Sequence, residues 1–194
     1  NGFFFNTPQG NTRHYVYEKI ASGLIDNYIY CGNLEARECL SRITDWAIRN
    51  LSQVHSDANS EWYTMGECLY RAYLVTGESK YLNYAKVWEY YSYWDRFANG
   101  VPGADLFTNP PMENGQKISF HAYSHVNTFS SAGAAFEATG DIRYRNIIIN
   151  AHDYLQQYQN FASGGYGPME VLMDRNALLG SVDAFFLYKH FETQ

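Results

Sequence analysis

A chain of 194 residues with 46% hydrophobic and 18% charged content is long enough to bury one sizeable core and too apolar to be disordered. Its formal net charge of −6, with no Lys/Arg cluster, excludes a surface that would shed counterions from a phosphate backbone, so no nucleic-acid partner is expected. No apolar run reaches the roughly 18 to 20 residues that cross a bilayer, and Asn1-Gly2-Phe3 carries neither the basic segment nor the cleavage site of a signal peptide, so no membrane partner is expected either.

In chain order, the first ten residues read as loop, and helical spacing of Ile20, Leu24 and Tyr28 then predicts a helix over 13–31. Cys31-Gly32-Asn33-Leu34-Glu35 has the form of a helix-ending Gly followed by a capping Asn, and a second helix follows over 34–51. The next predicted pair is 61–76 with 79–98, supported by Leu69, Tyr73 and Leu74. Its turn, Thr76-Gly77-Glu78-Ser79-Lys80-Tyr81, recurs later as Thr139-Gly140-Asp141-Ile142-Arg143-Tyr144, which marks an internal repeat. Between the copies, 99–120 holds Pro102, Gly103, Pro110, Pro111 and Gly115 and reads as a long loop. The third pair is 124–139 with 142–160, where Ile147, Ala151, Tyr154 and Leu155 share one face, and 161–178 is irregular around Gly164-Gly165-Tyr166-Gly167-Pro168.

The fold class is therefore all-α, with three antiparallel helix pairs and almost no strand. Such pairs stack into an open solenoid or close into an (α/α) toroid, and closure commonly takes about six pairs. Three pairs form a partial (α/α)6 ring, so residues 1–194 read as one domain that is part of a longer protein. Its flanks need the rest of the toroid or a second subunit as a partner. Cys31, Cys39 and Cys68 form no CxxC and read as core thiols, a Cys31–Cys39 bridge being the alternative. The 18 Tyr, 12 Phe and 4 Trp suit a cleft that stacks sugar rings, although packing between helices explains most of them equally well.

In a ring of hairpins every odd-numbered helix starts at the same end, and this chain places its chemistry there. Asn11-Thr12-Arg13-His14 precedes the first helix, Glu61-Trp62-Tyr63 and Glu67 open the third, and His121-Ala122-Tyr123-Ser124-His125-Val126-Asn127 opens the fifth. The irregular segment after the sixth helix returns to that end with Tyr166 and Glu170. His14, Glu61, Trp62, Tyr63, Glu67, His121, Tyr123, His125, Asn127 and Tyr166 are accordingly expected to bind substrate. Each has a plainer reading: a cap for His14, solvated charges for Glu61 and Glu67, a surface acid for Glu170. The i, i+4 spacing of His121 and His125 puts both on one helix face as metal ligands would be, but without an HExxH or a nearby Cys.

His125-Val126-Asn127-Thr128, the Thr139-Gly140-Asp141-Ile142-Arg143-Tyr144 turn and Phe161-Ala162-Ser163-Gly164-Gly165 together resemble the β-L-arabinofuranosidase family, glycoside hydrolase family 127 and its relatives. These follow its order of a His-x-Asn-Thr motif, a Thr-Gly-Asp-x-x-Tyr turn and an aromatic-Ala-Thr-Gly-Gly loop. Fainter matches run upstream through Glu61 to Glu67, Thr76-Gly77 and Lys19 to Asp26. The resemblance implies an (α/α)6 catalytic domain, a carbohydrate substrate and removal of terminal sugar residues from a glycan. It assigns Glu170 as the general acid/base, with His125 and Asn127 lining the sugar site. It also implies a cysteine nucleophile held with a zinc ion by Cys and Glu ligands; the cysteines would follow residue 194, and Glu192 is the candidate zinc-site carboxylate. Glu18 stands where the family often has a His, a departure that puts that contact in doubt. Toroids also serve polysaccharide lyases and sugar epimerases, in which His125 and Tyr123 would be base and acid, and a non-catalytic helical scaffold is a third reading.

Overall fold

The protein is described by a computed structural model covering residues 13–52, 62–107, 120–162, 164–166 and 171–172, with the backbone of 112–113 and 116–117. The described residues form helices α1 (Arg13–Cys31), α2 (Leu34–Asn50), α3 (Met65–Thr76), α4 (Ser79–Val87), α5 (Tyr91–Ala98), α6 (Ala122–Thr139) and α7 (Ile142–Tyr158). A 3-10 turn at Trp62–Thr64 leads into α3, and a two-residue antiparallel pair, β1 (Met112–Glu113) with β2 (Gln116–Lys117), sits in the long loop. The fold is all-α and built of helical hairpins, as the sequence predicts. The exception is the expected single helix over 79–98, which is broken at Trp88–Tyr90 into α4 and α5.

The repeated Thr-Gly-acid turn is the same structure twice. Thr76 and Thr139 each donate their hydroxyl to the carbonyl four residues back, Ala72 and Ala135, at 2.7 Å. Gly77 and Gly140 then take the left-handed conformation, φ 71° in both, and each N–H reaches back to Tyr73 O or Phe136 O at 2.8 Å. This closes the helix at a backbone geometry that a Cβ resists. The next helix opens on Tyr81 N–H bonded to Glu78 O, matched by Tyr144 N–H bonded to Asp141 O, at 3.1 Å each. Gly32, φ 64°, makes the looser first turn, and Asn33 Oδ1 caps α2 by accepting from the N–H groups of Glu35 and Ala36.

Two compact units divide the described chain: 1–89 with 134–140, and 90–133 with 141–194. In the first, α1 packs on α2 and on α3, and α3 on α4. Tyr17, Ala21 and Ile25 of α1 meet the seam Ala36, Leu40, Ile43 and Ala47 of α2, all buried. Thr44 donates its hydroxyl to Leu40 O, so Tyr17 must be the donor in its 2.8 Å bond to Thr44 Oγ1. Lys80 ties α4 to α2 through Ser41 Oγ at 2.6 Å and Asp45 at 2.9 Å.

In the second unit α5 packs on α7, burying Tyr93, Trp94 and Phe97 against Tyr144, Ile147 and Tyr154. Asn150 donates to Phe97 O at 2.7 Å and satisfies a carbonyl at the end of α5. Trp94 donates its indole N–H to Thr128 Oγ1 of α6 at 3.0 Å. Among the cysteines only Cys68 is a core thiol. Cys31 is exposed, Cys39 half-buried, and all three are free, so the core-thiol reading holds for Cys68 and is corrected for Cys31 and Cys39, and the alternative Cys31–Cys39 bridge is not formed.

Ala in place of Gly77 or Gly140 lowers unfolding free energy by about 1–2 kcal/mol, the cost of a left-handed Cβ. Gly23→Ala, in the middle of α1 with no atom within 4 Å of the added Cβ, raises it by about 0.5–1 kcal/mol. Urea denaturation of the three variants checks the opposite signs.

Candidate functional site

The residues expected to act together fall in both units, and each unit's group has its own chemistry. In the first unit, His14 is 8% exposed and lies edge-on to Trp88 with ring centroids 5.1 Å apart. Its Nε2 is 2.9 Å from Ser52 O, and a carbonyl only accepts, so the proton sits on Nε2. Burial lowers its pKa, which the Ser52 bond opposes and Arg13 reinforces, so the ring is neutral. Trp62 and Tyr63 are buried in the 3-10 turn, packed edge to face on each other at 5.5 Å.

Glu67 is half-buried on the first turn of α3. Burial raises its pKa, Arg71 opposes this, and the nearby Glu18 carboxylate adds to it. Glu18 itself is buried, accepts from Ser22 Oγ at 3.2 Å and pairs with Lys19 at 2.9 Å. Beside them the Cys68 thiol donates to Met65 O, and burial pushes its pKa well up, so it is an inert thiol and not a nucleophile. A buried acid that the sequence reading passed over, Glu89, accepts from the Tyr70 hydroxyl at the break between α4 and α5. Its one sequence signal is a single Glu within the aromatic run Trp88-Glu89-Tyr90-Tyr91.

In the second unit the start of α6 gathers His121, Tyr123, Ser124, His125 and Asn127. His125 is 0% exposed and caged by Tyr90, Tyr93 and Phe120, with ring centroids 5.1–5.8 Å away. Its Nδ1–H donates to His121 O at 3.0 Å, which fixes the tautomer and leaves the lone pair on Nε2. The i, i+4 spacing thus serves a backbone carbonyl one turn back, with the side chain buried in the cage. Burial pushes its pKa down to about 3, with His121 and Arg96 reinforcing and the carbonyl bond opposing.

His121, Tyr123 and Asn127 are half-buried. His121 pairs with Val171 in an antiparallel bridge, and Leu172 N–H donates to Phe120 O at 2.8 Å, so the segment after the Gly-rich turn is stitched to the start of α6. Tyr166 is buried and its hydroxyl accepts from Gln156 Nε2 of α7 at 2.8 Å, which anchors that turn. Glu61, Glu170 and Glu192 lie outside the described residues. Among the described residues no three His, Cys, Asp or Glu side chains are placed to share a metal ion, and the expected zinc carboxylate Glu192 is not one of those residues.

Neutral His125 makes stability pH-dependent. Unfolded, it takes a proton near its ordinary pKa of 6.5; folded, only near 3. The unfolded state therefore binds more protons between these values, and stability, complete above about pH 6.5, falls as pH drops toward 3 by up to about 1.4 kcal/mol per pH unit. His14, also lowered, adds in the same direction. In equilibrium denaturation from pH 7 to 4, His125→Phe, which keeps a ring in the cage with nothing to protonate, shows a shallower slope than the parent.

The family model described as Beta-L-arabinofuranosidase, GH127 catalytic domain matches residues 2–191. A search of curated proteins gives no match. A match over nearly the whole length agrees with the motifs at His125–Thr128, the Gly140 turn and the Gly164-Gly165 loop, and the chain belongs to the GH127 β-L-arabinofuranosidase family of glycoside hydrolases.

Proposed function

We propose that the protein takes part in hydrolysis of terminal sugar residues from a glycan, with Glu170 as the general acid/base. His121, Tyr123 and Asn127, half-buried at the start of α6, are the proposed sugar contacts in the second unit. The observation that supports this reading most is the bridge between His121 and Val171, because Val171 follows Glu170 directly in the sequence. A retaining glycosidase needs one group to protonate the departing oxygen and a second to attack the anomeric carbon. Glu170 supplies the first. The free Cys68 cannot be the second, since its thiol is buried and held protonated.

The lyase or epimerase reading requires His125 to take a proton from carbon. A base whose conjugate acid has a pKa near 3 has little driving force for that at neutral pH, and its aromatic cage admits no substrate carbon. The hydrolase reading is the better supported one.

Glu170→Gln in the complete enzyme is expected to slow hydrolysis of glycosides with poor leaving groups by about 100-fold or more. It spares aryl glycosides with activated leaving groups, which depart without a proton. Steady-state kinetics on the two substrate types check this, and equal losses on both would remove Glu170 from the role.

A further inference from the structure

We infer that Gln156 and Tyr166 are positioning residues: the hydrogen bond between them is a second anchor for the segment that carries Glu170, and it sets the aim of that carboxyl without touching the sugar. The inference rests on the reading of Glu170 as the general acid/base.

The bond has a fixed polarity. Gln156 lies in the last turn of α7, and Asn160, four residues on, donates its Nδ2–H to Gln156 Oε1 at 2.7 Å. With that oxygen committed, the amide turns its Nε2–H to the Tyr166 hydroxyl, which accepts it at 2.8 Å. The Tyr166 side chain is itself buried, so its hydroxyl is held in the core while α7 supplies its partner. A tyrosine expected from the sequence to bind substrate is thus engaged with a helix, and its influence on the reaction runs along the chain.

The chain between the two partners is closed on itself. Phe161 N–H donates to Gly165 O at 3.0 Å and Gly164 N–H to Phe161 O at 2.8 Å, with Gly164 in the left-handed conformation at φ 86°. Tyr166 follows that turn directly. On the far side of Glu170, Leu172 N–H donates to Phe120 O at 2.8 Å and Val171 pairs with His121. Only residues 167–170 separate the two anchors, and one of them is Pro168, whose ring fixes a backbone torsion. The anchor at Val171 fixes where the Glu170 backbone sits. The direction of its side chain also depends on the peptide that enters it from the other side, and that peptide is restrained through Tyr166. A general acid needs both restraints, because its proton must lie within hydrogen-bond reach of the departing oxygen, and a misplacement of about 1 Å can cost as much as about 100-fold in rate.

Tyr166→Phe keeps the ring and removes the acceptor, and Gln156→Leu removes the donor from the other side, so two independent variants of the complete enzyme test the anchor. Each is expected to lower kcat on glycosides with poor leaving groups about fivefold, the scale of one lost hydrogen bond, with KM within about twofold of the parent and activated aryl glycosides unaffected. In a Glu170→Gln background neither adds a further loss on the poor leaving groups. A raised KM with kcat unchanged makes Tyr166 a sugar contact and overturns the proposal. Equal losses on both substrate types, the mark of a general structural defect, overturn it as well. If Glu170→Gln discriminates between the substrates and these two variants do not, the positioning role falls and the acid/base reading stands. If Glu170→Gln itself costs both substrates equally, the acid/base reading falls and the positioning role falls with it.

Discussion

The hairpins of the described residues depend on the left-handed glycine that ends the first helix of each, Gly32, Gly77 and Gly140. A helix left to itself continues until its side chains or a proline stop it, and here the reversal is placed by backbone geometry. The Thr hydroxyl first takes a carbonyl of the last turn; Gly77 or Gly140 then turns its N–H back to close the next one. The acid that follows starts a new helix at once, with Asp141 Oδ1 accepting from Arg143 N–H. Two residues of turn thereby fix where the first helix ends and the second begins, and in the Gly77 hairpin α3 packs on α4.

Because the turn is so local, it was legible. Gly is the residue that the left-handed region favours, Asn and Asp are the residues that cap, and the same six-residue pattern occurs twice, so the ends of α1, α3 and α6 and the starts of α2, α4 and α7 could be read within a residue. The break between α4 and α5 could not. It contains neither Gly nor Pro, and its sequence, Trp88-Glu89-Tyr90, continues the aromatic periodicity on either side. What ends α4 is tertiary: a buried Glu89 bonded by Tyr70, and Trp88 buried beside His14 and Tyr84. A local pattern holds no information about a partner 19 residues away on another helix.

The candidate site divides in the same way. Order and spacing placed the polar residues at helix starts, and α6 does begin beside His121 and Tyr123. Spacing did not say which polar side chains would be buried. His121 and His125 sit four apart whether they bind a ligand or one of them bonds the other's carbonyl; the difference is made by Tyr90, Tyr93 and Phe120, which come from two other segments and enclose His125. Glu67 and Glu18 are likewise unrelated acids on separate helices until α1 packs on α3 and places each in the other's field.

The aromatic excess takes on its meaning from these polar groups. A core of Leu and Val would bury the same helices, but it offers no hydrogen-bond partner to a His, Thr or Glu that the fold also encloses. Tyr and Trp carry both a packing face and a polar tip, so Tyr17 can serve Thr44, Tyr70 can serve Glu89, and Trp94 can serve Thr128 while their rings fill space between helices. The interior can therefore keep several polar side chains in fixed protonation states, His14 and His125 neutral and Cys68 a thiol. The aromatic residues are then as much a means of setting the charge of their neighbours as a means of packing, and the two roles need not be assigned to different rings.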